Sequence, residues 1–202
     1  MKIFNVCEGS WTSNCYVLIS EGHALVIDPS ASAKAILELV KQENASLEGI
    51  LLTHGHFDHI LSLDTLRERT GVPAYIHTED AIMLTDGKKN AFFEFFGKER
   101  TYGAAEKLMS DGDRIPIGNE TLTVYHTPGH THGSVCFISG RIIFSGDTIF
   151  ADTYGRYDLW NGNLEKLRES MTKLSKLDPT LTVYPGHGTT APLGVALNSF
   201  YI

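Results

Sequence analysis

Six consecutive residues, His54-Gly55-His56-Phe57-Asp58-His59, carry three imidazoles and a carboxylate. No other feature constrains this chain as strongly. Burying that many titratable groups together is costly unless something compensates them, and a metal ion is the cheapest compensation. Neutral imidazole and carboxylate suit zinc, iron or manganese. In an extended or looping backbone, residues i and i+2 share a side, so one turn can aim several of these side chains at a common point.

Three further segments repeat the theme. Thr127-Pro128-Gly129-His130-Thr131-His132-Gly133-Ser134 places histidines in a Pro/Gly turn. Phe144-Ser145-Gly146-Asp147-Thr148 places an Asp just past an apolar strand, and Val183-Tyr184-Pro185-Gly186-His187-Gly188 does the same for a His. Taken singly, each reads as an ordinary surface turn. Together they put four candidate sites at strand ends, where functional side chains are presented by a rigid scaffold.

In this order the motifs resemble the metallo-β-lactamase-fold hydrolases, and more narrowly their glyoxalase II-like (hydroxyacylglutathione hydrolase-like) branch in a short single-domain form. The resemblance runs from about Asn14 to Gly188. It implies that His54, His56 and His130 hold one metal, that Asp58, His59 and His187 hold a second, and that Asp147 bridges both. Asp28, after the strand Ala24–Ile27, matches a support behind the ligand loop rather than a ligand. The implied cofactors are two divalent ions, zinc first, with iron or manganese as alternatives. Two such ions about 4 Å apart share a water, lower its pKa toward roughly 7 and so offer a metal-bound hydroxide. Asp58 is then the catalytic carboxylate that orients or deprotonates that water. There is no Gly-x-Ser-x-Gly elbow, so a serine nucleophile has no seat.

Periodicity supports an α/β chain with mixed sheets. Lys2–Val6, Cys15–Ser20, Ala24–Ile27, Ile50–Leu52, Ala74–Ile76, Ile115–Ile117, Thr121–Tyr125, Val135–Ile138, Arg141–Phe144 and Thr182–Tyr184 read as strands. Ala33–Gln42, Ile60–Arg69 and the stretch around Leu164, Leu167, Met171 and Leu174 read as helices. The four-layer αββα sandwich is implied by the family resemblance, and we expect residues 1–202 to form one domain. Thr85–Ser110 is less regular. Its Phe92, Phe93, Phe95, Phe96 and Tyr102 read either as local core packing or as a lid forming one wall of the substrate cleft.

The net charge of −7 provides no basic excess for phosphates, so nucleic acid is not an expected partner. No stretch approaches a membrane span or a signal peptide. Cys7, Cys15 and Cys136 show no paired spacing and read as small buried hydrophobes. A reducing cytoplasm is the expected setting.

For substrate, Arg156 and Asp158 fall near the glutathione-contacting positions of the branch. Arg156 could grip a carboxylate bidentately or simply pair with Asp158. Asp158 stands where the glutathione enzymes tend to have Tyr, and the chain ends at Ile202, without the C-terminal helical region of full-length relatives. His132 could reach the cleft as a substrate contact or orient a ligand by a hydrogen bond. The expected activity is hydrolysis of small thioesters. The alternatives are lactone or ester hydrolysis on the same metal pair, a mono-iron persulfide dioxygenase-like oxidoreductase, or a metal-binding structural module. The expected partner is a small thioester or ester molecule; the oligomeric state is not legible.

Overall fold

The computed structural model describes residues 1–6 and 12–200. Two six-stranded sheets account for every strand among them. The first runs β1 (Lys2–Asn5), β2 (Tyr16–Ser20), β3 (His23–Ile27), β4 (Ser46–Leu51), β5 (Ala74–His77) and β6 (Lys107–Met109), in that spatial order. The second runs β12 (Ala191–Pro192), β11 (Thr182–Pro185), β10 (Ile142–Gly146), β9 (Val135–Ser139), β8 (Glu120–His126) and β7 (Arg114–Ile117). The helices are α1 (Ala33–Gln42), α2 (Leu63–Thr70), α3 (Ala81–Thr85), α4 (Phe92–Phe96), α5 (Leu164–Leu174) and α6 (Leu193–Asn198).

Three apolar layers explain why the sheets stack as they do. Alternation along β2 sends Val17 and Ile19 to one face and Tyr16 and Leu18 to the other, as the period of two requires. Along β3, Ala24 and Val26 part from Leu25 and Ile27 in the same way. The outward faces meet Ile36 and Val40 of α1 and Leu63 and Leu66 of α2. The inward faces meet Leu122, Val124, Phe137 and Phe144 of the second sheet. The far side of that sheet, with Cys136, Ile143 and Val183, packs on Leu167, Met171 and Leu174 of α5 and on α6. Helix, sheet, sheet, helix is the αββα sandwich. Both faces of the central strands are buried, which is why they read as nearly continuous apolar runs.

Several boundaries differ from the sequence reading. β4 begins at Ser46, four residues earlier than expected, because it pairs in parallel with β3 from His23 onward. The helix expected over Ile60–Arg69 is α2 at Leu63–Thr70, preceded by a 3₁₀ turn at Phe57–His59. β6 lies inside the irregular segment, and β12 and α6 follow the last expected strand. Cys15 and Cys136 are buried; Cys7 lies outside the described residues. No helix among the described residues is long and apolar enough to cross a membrane.

Candidate metal centre

Parallel strands deliver the site. β3, β4 and β5 run parallel, so Asp28, His54 and Asp80 follow three neighbouring strand ends on one edge of the first sheet. β10 and β11 are also parallel, which puts Asp147 and His187 together on the second sheet. His130 follows β8. The edges meet, and seven donors gather: His54, His56 and His130 form one cluster, Asp58, His59 and His187 another, and Asp147 joins His54 and His59 in a third, each within 4.8 Å.

Hydrogen bonds determine where the lone pairs point. His130 Nδ1 donates to the Arg156 carbonyl at 2.7 Å, so its Nε2 bears a lone pair. The Thr53 hydroxyl gives its proton to Asp28 Oδ2 at 2.6 Å and must therefore accept from His54 Nδ1 at 3.1 Å. His54 Nε2 is then also a lone pair, and it faces His130 Nε2 at 3.2 Å. His56 Nδ1 approaches the same atom at 2.8 Å. Converging lone pairs repel one another unless a cation lies among them. His59 Nε2 and Asp147 Oδ1 are buried with poor geometry and only each other, 3.3 Å apart, to answer them. This donor set fits divalent metal ions.

The electrostatics agree. Burial, reinforced by His59 and His130, pushes the pKa of His54 well below the usual imidazole range. Burial and His130 lower that of His56 to about 3. Burial also lowers that of His130. All three are neutral at pH 7, as metal ligands must be. His59 behaves oppositely: its burial is outweighed by the carboxylates of Asp147, Asp28 and Asp58, which hold it well above the usual range. That half of the site attracts positive charge.

Two buried carboxylates frame the donors. Asp28, in the left-handed region at φ 50, accepts from Thr53 N at 2.8 Å, from the Thr53 hydroxyl and from His59 Nδ1 at 2.8 Å. One side chain thus orients both ends of the first ligand loop. Asp80 was not singled out from the sequence. It accepts from Gly55 N at 3.2 Å, the Thr131 hydroxyl at 2.6 Å and Gly133 N at 2.7 Å. It ties the His54–His59 loop to the His130 loop, and burial raises its pKa to about 6. Its only sequence signal is a position just past a strand. Gly186, in the turn that carries His187, has a steric role: a Cβ there would collide with Asp147 Oδ1, so only glycine permits that approach.

Above the donors opens a cleft of about 450 Å³, lined by His56, Phe57, Asp58, Ala91, Phe95, Phe96, His130, Asp147, Phe150, Arg156, Leu159 and His187. Arg156 is there, with its guanidinium bonded to both oxygens of Asp158 at 2.7 and 2.9 Å. His132, read from the sequence as a cleft contact or an orienting donor, is not among the residues that line this cleft. Its amide donates to Asn161 Oδ1 and its carbonyl accepts from His126 Nε2. Its exposed side chain lines a separate hollow with Glu79, Pro128 and Lys166. The aromatic segment divides between its two readings: Tyr102 is buried in the outer core, while Phe95 and Phe96 form a wall of the cleft.

Comparison with known proteins agrees with this architecture. Residues 9–187 match the model of the metallo-β-lactamase superfamily, and the chain belongs to that family. It is 36% identical over 191 residues to a Bacillus subtilis protein named "Probable metallo-hydrolase YqgX", covering 93% of this chain and 90% of that one. Among solved structures, it superimposes on BLEG-1, titled a B3 metallo-β-lactamase, with a TM-score of 0.91 and 33% identity, covering 98% and 97% of the two chains. TTHA1623, crystallised in a di-iron-bound form, gives a TM-score of 0.85 and 31% identity over 95% and 96% of the two chains.

Proposed function

We propose that this chain is a dinuclear metal-dependent hydrolase, glyoxalase II-like, that cleaves thioesters. The carrying observation is the position of Asp147. Its Oδ1 lies 3.3 Å from His59 Nε2, and its Oδ2 lies 3.7 Å from His130 Nε2 and 3.6 Å from His187 Nε2. One carboxylate thus reaches ring nitrogens of both clusters. His54, His56 and His130 would hold one ion, Asp58, His59 and His187 the other, and Asp147 both. Bound there, two divalent ions would polarise a carbonyl and acidify a water toward a pKa of roughly 7.

The chain's own residues supply the rest. Burial of Asp58 is outweighed by His59 and by a hydrogen bond with His187, so its carboxyl lies below the usual range and is ionised at neutral pH. It faces the cleft and is the group placed to orient the attacking water and take its proton. Water adds to the carbonyl carbon, the carbon–sulfur bond breaks, and the products are a carboxylic acid and a thiol. A thiolate is a weak base, so departure needs no strong general acid.

A second reading rests on the likeness to BLEG-1: opening of a cyclic amide on the same donors. Protein purified without added metal should be analysed for bound elements, then assayed on thioesters, lactones, a chromogenic β-lactam and persulfides. We expect two ions per chain, zinc foremost, and thioester turnover above the rest. One ion per chain at saturating metal overturns the dinuclear reading. Oxygen-dependent persulfide oxidation with one iron would move the chain to the oxidoreductase alternative, and preferential β-lactam opening to the second reading.

A further inference from the structure

The cleft has a polar floor and an aromatic wall. Phe57, between the donors His56 and Asp58, meets the rings of Phe92, Phe95 and Phe96 at centroid distances of 5.5, 5.6 and 5.4 Å. Phe95 and Phe96 nevertheless stay 56% and 50% exposed, on the side that opens to the donors. A helix as short as α4 has no stability of its own, and here it is fastened to the ligand loop. Asn90, fully buried, accepts from Phe57 N at 3.0 Å through its carbonyl and from Phe92 N at 3.1 Å through Oδ1, and donates to the Arg100 carbonyl at 2.8 Å. Ala91 holds a left-handed φ of 66° to turn the chain into the helix, a conformation that persists in a non-glycine residue only where its surroundings enforce it. The wall is therefore a fixed part of the metal loop.

The one cation among the described lining residues is already engaged. Arg156 makes both of its short bonds to Asp158 and lies 6.0 Å over the Phe95 ring. Apart from the ions its donors would hold, the cleft thus offers apolar surface and no side-chain cation free of a partner.

We propose that the substrate is an ester or thioester carrying an apolar chain or ring beside the scissile bond, seated on Phe95 and Phe96, and not one with a charged peptide-like thiol. This rests on the hydrolase reading above, and the test separates the two. N-acetylcysteamine thioesters from acetyl to octanoyl, with matching alkyl-thiol acetates, should be assayed on the zinc-loaded full chain. We expect kcat/KM to climb by up to about fourfold for each methylene that is buried, in one of the two series. Changing Phe95→Ala and Phe96→Ala together should shrink the octanoyl-to-acetyl ratio, or its thiol-side counterpart, by about tenfold or more. Both side chains are half exposed, and unchanged circular dichroism and metal content would show that the variant folds.

Calorimetric binding of non-cleavable ketone analogues of the same lengths supplies a readout apart from turnover. Affinity should rise with chain length, with an increasingly negative heat-capacity change, and the double variant should lose the trend. Flat profiles in both measurements, a gradient that survives the double variant, or a glutathione thioester preferred tenfold over its neutral counterpart each overturn the proposal. Graded analogue binding without any ester or thioester cleavage supports the wall and overturns the hydrolase reading. Cleavage with no gradient does the reverse.

Discussion

His54, His56 and His130 are almost wholly buried, whereas His187 and Asp58 leave 35% and 19% of their side chains open to solvent. The supports differ too. The first cluster is oriented by neutral groups, the Thr53 hydroxyl and the Arg156 carbonyl. The second is oriented by carboxylates, with Asp28 on His59 and Asp58 against His187. The first is thus a deeply buried seat of three neutral imidazoles, touching the cleft only through His56 and His130. The second is anionic and open on the cleft side, where a catalytic ion keeps positions for water and substrate. On the dinuclear reading, the buried half would retain its ion and the open half would exchange ligands.

Asp147 is the residue on which that division depends. Asp147→Ala should lower activity by about a thousandfold or more, since several kcal/mol of charge stabilisation are lost. Metal content should fall at both halves, as read by elemental analysis. Loss of one ion alone would show that Asp147 serves a single half.

Next in size, His187→Ala should cost roughly a hundredfold in activity yet retain one ion, and chelator titration of the unaltered chain should remove its two ions in two phases. His56→Ala should instead deplete the buried seat. If both variants lose the same ion, or the titration shows one phase, the contrast between the halves fails.

Asp80 sharpens the account of the buried half, because it fixes the His54 and His130 loops relative to each other. Asp80→Asn should weaken metal binding about tenfold to a hundredfold, measured by competition with a chelator. It also carries a pH signature. The pKa in the fold, about 6, lies above the unfolded value of 3.8. Protonated Asp80 therefore stabilises the fold below about pH 4, and this contribution is lost as the pH rises through about 6. Asn does not ionise, so between pH 4 and 7 the stability difference should move toward the variant by roughly 2–3 kcal/mol. Denaturant melts of chelated protein would show it; a difference that stays constant with pH would mean that Asp80 is not held in this way.

The smallest effect is expected at Arg156. Its side chain pairs with Asp158 at an exposed site, with side-chain exposures of 49% and 62%, and solvent screening leaves such pairs little to contribute. Arg156→Ala keeps the backbone carbonyl that orients His130. We therefore expect less than about a threefold change in kcat/KM, equal on neutral and glutathione thioesters. A raised KM confined to the glutathione substrate would show that Arg156 grips a carboxylate after all.

The candidate donors stood out in the sequence because each lies in a Gly-containing loop at the end of an apolar strand, and the strands alternate in a pattern that local chemistry dictates. Apolar period fixed the faces of Val17 and Leu18, or of Val26 and Ile27, without knowledge of their neighbours. What it could not supply was which strand ends meet. That Asp80 lies between the His54 and His130 loops follows from β5 running parallel to β4 and from the facing of two sheets, which no local signal encodes. That His130 turns in is fixed by the Arg156 carbonyl on its Nδ1, and the His132 backbone is held by Asn161, both partners far along the chain. The aromatic wall is similar: Phe92–Phe96 has the spacing of any apolar helix face, and the bonds of Asn90 and the ring contacts with Phe57 decide that it faces the donors. Side-chain type and strand period are properties of neighbouring residues, so the sequence alone determines them. Which groups share one buried centre is a property of pairs far apart in the chain, settled only when the whole sandwich closes.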